Sequence, residues 1–91
     1  MQAELTDMTC RVSQMRANET AIITAINAAD GLKTELAAHG VAVGAEIRFI
    51  KAAPLGDPLQ LRVNGGNLCI RKRDAALICV QLLRERGGAG A

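Results

Sequence analysis

His39 is the only histidine of the chain, and it stands beside Gly40 at the end of a helical stretch. Its imidazole is suited either to ligate a metal or to sit at a helix terminus, where the dipole favours it. One histidine cannot complete a coordination shell, and no Cys or acidic residue falls at motif spacing from it, so no metal site is assigned. Cys10, Cys69 and Cys79 are odd in number and irregularly spaced, which argues against a disulfide framework and for a reducing compartment. Cys69 and Cys79 alternate with Leu68, Ile70, Ile78 and Val80 and read as buried or half-buried thiols. Cys10 reads as more exposed and more reactive.

No Ser/His/Asp set is apparent, and isolated carboxylates such as Glu46 and Asp57 make no acid/base dyad by spacing. Gly65-Gly66 suits a hairpin and Gly87-Gly88 a tail, neither being the strand-loop-helix setting of a phosphate cradle. The chain is therefore not read as an enzyme, and no catalytic residue or required cofactor is assigned.

The basic residues are unevenly placed. From Arg62 onward six cations face two carboxylates, so an overall charge of +2 hides an excess of four positive charges in the last third. That field is too weak for a dedicated nucleic-acid binder, which needs many phosphate contacts. Phe49 is the only aromatic residue, so no base-stacking sheet is available. Arg71, Lys72 and Arg73 are better read as a small basic patch on a docking surface. No apolar run reaches the roughly 18 residues of a membrane span, and Met1 to Arg16 lacks the apolar region of an export signal. The chain reads as cytosolic, without direct membrane insertion.

These residues need elements to position them. At 91 residues the chain fits one compact domain. Residues 1–15 show no sustained period and are expected as a loosely ordered leader, with residues 16–84 as the domain and 85–91 as a flexible Gly/Ala tail. Ala21 to Ile26 is short and β-branched and is expected as the first strand. Asp30 can cap a helix whose face of Leu32, Leu36 and Ala37 closes one end of the core, and Gly40 can end it. Ile47 and Phe49 alternate with Glu46 and Arg48 in a second strand. Leu59, Leu61 and Val63 form a third, and Asn64-Gly65-Gly66-Asn67 has the left-handed turn chemistry of a hairpin into Leu68 to Arg71. Lys72 to Ala76 reads as a helical turn and Leu77 to Leu83 as a last strand. The fold expected is mainly β: a small closed or nearly closed barrel of about five strands with one short helix and a helical turn.

The order Gly40-Val41-Ala42-Val43-Gly44-Ala45-Glu46-Ile47, Ala53-Pro54-Leu55-Gly56-Asp57-Pro58, Leu61-Arg62-Val63 and Leu68-Cys69-Ile70-Arg71 resembles the FeoA family of ferrous iron transport accessory proteins. The resemblance covers about residues 16 to 83, and the Ala-Pro-Leu-Gly-Asp-Pro turn is its specific part. It implies an SH3-like barrel, no enzymatic activity, and a cytosolic role supporting a FeoB-type ferrous iron permease.

Docking on the cytosolic part of that permease is thus the expected function, with Leu32, Leu36, Leu55, Arg71, Lys72 and Arg73 as partner-binding residues. Two prolines pre-order the Ala53–Pro58 connection, so Leu55 either projects as an anchor or folds inward as a plug. The alternative is a regulatory module that binds a divalent metal weakly through His39 or a carboxylate. Nucleic-acid binding through Arg62, Arg71, Lys72 and Arg73 is the weaker third reading. Homo-oligomerisation is left open.

Overall fold

The computed structural model describes residues 2–86, with side chains over residues 8–84. The elements are β1 (Gln2–Arg11), a 3-10 turn (Val12–Gln14), β2 (Thr20–Ile26), α1 (Asp30–Ala38), β3 (Glu46–Ala52), β4 (Leu59–Val63), β5 (Gly66–Ile70), α2 (Lys72–Ala75) and β6 (Ile78–Arg86). All strand pairs are antiparallel, in the order β1-β6-β2-β3-β4-β5. No helix among the described residues is long and apolar enough to cross a membrane.

Alternation decides which face is apolar. Ala21 and Ile23 of β2, Ile47 and Phe49 of β3, Leu59, Leu61 and Val63 of β4, and Ile78, Val80 and Leu82 of β6 all point into one core. Ile23, Ile47, Leu61 and Ile78 are almost fully buried, each side chain contributing about 1.5 to 3 kcal/mol by leaving water. Phe49 belongs to this core and offers no stacking surface.

The amino-terminal segment corrects the expected leader. β1 pairs with β6 from Gln2 opposite Arg86 to Arg11 opposite Cys79. Val12 and Met15 then enter the core, so Ala21 to Ile26 lies in the second strand and the strand count is six rather than five. A register shift between Leu5 and Thr9 breaks the period-2 pattern, and the partner strand is at the far end of the chain. Neither feature leaves a local signal. Arg86 and Glu85, assigned to the tail, continue β6, while residues 87–91 lie outside the described residues.

Helix α1 ends as its sequence suggests. The Gly40 N–H donates to Ala37 O at 2.9 Å and the Val41 N–H to Leu36 O at 2.9 Å, the paired bonds of a Schellman cap. Gly40 takes φ +87°, a backbone conformation that favours glycine, and a Cβ there would push the Asn64 side-chain amide aside. Val41 is buried just beyond the cap. At the other end the cap position is Ala29, with Asp30 the first helical residue, where its charge still suits the dipole. Leu36 is buried and Leu32 half-buried, but Ala37, expected on the same face, is exposed. Asn64 and Gly65, at φ +52° and +80°, form the tight turn between β4 and β5.

Candidate docking surface

The Ala53–Pro58 connection is held by its own backbone. The Gly56 N–H donates to Ala53 O at 2.7 Å, closing a turn with Pro54 in the position its fixed φ favours. The Ala53 N–H donates to Pro58 O at 2.9 Å and closes the base of the loop. Gly56 sits at φ +87°. With its polar groups satisfied this way, the loop needs no hydrophobic plug. Leu55 is 97% exposed at its tip.

A side chain ties this loop to the basic segment. The Lys72 N–H, at the start of α2, donates to Asp57 Oδ1 at 2.8 Å. The carboxylate satisfies a helix N–H that has no partner inside the helix and holds the loop against Arg71, Lys72 and Arg73. Ala75, fully buried, pins the other side of α2 to the core, so the three cations face outward. Arg73 Nε lies 3.9 Å from Asp74 Oδ1, an exposed pair that contributes little to stability.

Arg71 also lines a groove of about 200 Å³ between α1 and the β5–α2 segment. Leu32 and Leu68 are half-buried in it, and Leu36 and Ile70 form its floor. Of the six sequence-derived docking residues, Leu32, Leu36 and Arg71 line this groove, Lys72 is bonded to the loop that carries Leu55, and Arg73 is the next residue of α2. Leu36 is corrected. It is 6% exposed and belongs to the core, because one helix face must close the barrel end. Asp57, which braces the loop, was missed as a docking element; a carboxylate in a turn reads as local turn chemistry, and nothing nearby in sequence signals a bond fifteen residues away.

Glu35, His39, Cys69 and Asp74 line the same groove. Among the described residues no three His, Cys, Asp or Glu side chains gather to hold a metal ion. The cysteines are free; Cys79 is half-buried as expected, whereas Cys69 and Cys10 exchange their expected exposure. Cys69, opposite Gln60, is on the outer face of β5, whereas Cys10 is half-buried against the core. Burial pushes the Cys10 thiol up from its ordinary value, and the Glu19 carboxylate and Cys79 add to the shift.

A model of the FeoA domain matches residues 10–82. Over 73 residues the chain is 29% identical to the Fe(2+) transport protein A/Fe(2+) transporter FeoB fusion protein of Porphyromonas gingivalis (strain ATCC BAA-308 / W83), an alignment covering 80% of this chain and 9% of that protein. The chain thus spans less than a tenth of the length of that curated relative. Among solved structures, the FeoA protein from Chlorobium tepidum superposes with a TM-score of 0.78 at 30% identity, covering 89% of this chain and 79% of that one. Iron(II) transport protein A from Clostridium thermocellum gives 0.76 at 32% identity, over 79% of this chain and 44% of that one.

Proposed function

Because the chain belongs to the FeoA family, whose domains are non-enzymatic accessory modules with an SH3-like fold, we propose that it docks on the cytosolic region of a FeoB-type ferrous iron permease. One observation carries this reading: the Porphyromonas gingivalis relative joins a region similar to this chain to an Fe(2+) transporter FeoB in a single polypeptide. A covalent link keeps two domains at high effective concentration, so even a weak contact between them is populated.

The Leu55 loop is suited to that task. Its turn is already closed, so little conformational entropy is lost when Leu55 enters a pocket. Arg71, Lys72 and Arg73 beside it match an acidic rim and speed encounter. The domain works in the cytoplasm in this reading, on the face of the membrane where the permease's soluble region lies. Titration of the labelled chain with that soluble region, with and without guanine nucleotide, tests the proposal. Saturable binding that weakens as salt rises is expected; no binding at tens of micromolar under any of these conditions would refute it.

A further inference from the structure

On the outer face of the sheet, away from Leu55, Thr20 of β2 pairs with Arg48 of β3, and Arg48 pairs with Arg62 of β4. Ile47, Phe49, Leu61 and Val63 turn inward, so alternation forces both arginines to the same solvent face. Directly opposed residues hold their Cβ atoms about 4.5 to 5.5 Å apart, and like charges so placed destabilise a sheet. Among the described residues no carboxylate forms an ion pair with either guanidinium. Arg48 is oriented by donating from Nη2 to Asn18 Oδ1 at 3.4 Å, and the Arg62 side chain has no hydrogen-bond or ion-pair partner among the described residues.

The two arginines line a cavity of about 410 Å³ together with Thr20, Glu46, Asn64 and Gly65. We propose that this cavity is a binding site for a phosphate-bearing anion. Two guanidinium forks present planar donors from neighbouring strands, which suits oxygen anions. Thr20, directly opposite Arg48, adds a hydroxyl-bearing side chain to the same lining, so the site offers a donor beyond the two guanidinium groups. A tetrahedral phosphate with three free oxygens fits that arrangement. A bound anion also relieves the Arg48–Arg62 repulsion. Glu46 opposes binding by its charge and restricts the site to anions that satisfy both forks. The phosphate is supplied either by a soluble molecule or by a lipid headgroup; the chemistry of the site is common to both. None of the proposed docking residues lines this cavity.

The test is a titration of the isotopically labelled chain with inorganic phosphate at constant ionic strength, read by backbone amide shifts, with chloride as control. Saturable shifts at Arg48, Arg62, Asn64 and Gly65 are expected with phosphate alone. Arg62→Gln should weaken binding at least fivefold, Arg48→Lys should weaken it while retaining the charge and the fold, and Glu46→Gln should tighten it. Co-sedimentation with phosphatidylcholine vesicles, with and without phosphatidic acid, then separates the sources. Retention that requires phosphatidic acid and Arg62 assigns the headgroup; a phosphate response without retention assigns the soluble anion. Equal responses to phosphate and chloride, or binding unchanged in both arginine variants, overturns the proposal.

Discussion

Helix α1 and the Ala53–Pro58 loop each carry a leucine that sequence reasoning assigned to one docking face, and the two are held in opposite ways. Leu36 is 6% exposed and Leu55 is 97% exposed. The helix keeps its place by burying its leucine, since a short helix is marginal in water without an apolar contact. The loop keeps its place through backbone bonds across its turn and through Asp57, so its leucine is free for another use. An apolar residue is thus available for recognition only where something else meets the cost of ordering its backbone.

The largest expected effect is on the helix side. Leu36→Ala should lose about 2 to 5 kcal/mol by leaving a cavity in the core, measured by denaturant unfolding. A loss under about 1 kcal/mol would mean that α1 is not anchored through this residue.

Gly40 and Gly56 sharpen the contrast, because both sit at φ +87° in different surroundings. Gly56→Ala meets open space and should cost only the left-handed backbone penalty, about 1 to 2 kcal/mol. Gly40→Ala adds the displacement of Asn64 and should cost clearly more than that. Equal losses in thermal melts of the two variants would show that the contact between the α1 cap and Asn64 is inconsequential.

Removing the brace comes next. Asp57→Ala should cost about 1 kcal/mol, as loss of a capping carboxylate does, and should also weaken permease binding by letting the loop move away from α2. Binding that stays unchanged while stability falls would separate the loop from the docking surface.

Leu55→Asp is expected to change stability least, by no more than about 0.5 kcal/mol. Its effect belongs to recognition: affinity for the permease region should drop at least tenfold, or about 1.4 kcal/mol, in the titration described above. A folded variant that binds normally would move the anchor to Arg71, Lys72 and Arg73.

Much of this architecture is legible in consecutive residues. Alternation places Ile47, Phe49, Leu61 and Val63 inward, Asn64-Gly65 specifies the hairpin between β4 and β5, and Gly40 ends α1, because strand period and left-handed backbone are local properties of the chain. The Ala53–Pro58 motif likewise pointed to an ordered turn and, with the neighbouring strands, to the FeoA family. What one stretch of chain cannot carry is the identity of its distant neighbour. The pairing of β1 with β6, the burial of Val12 and Met15, the bond from Lys72 to Asp57 and the placement of Arg48 beside Arg62 all join segments far apart in sequence. So does the fate of two leucines that look equivalent in composition. Only the assembled sheet decides which of them finds a core to fill, since burial is a property of the space that other strands leave.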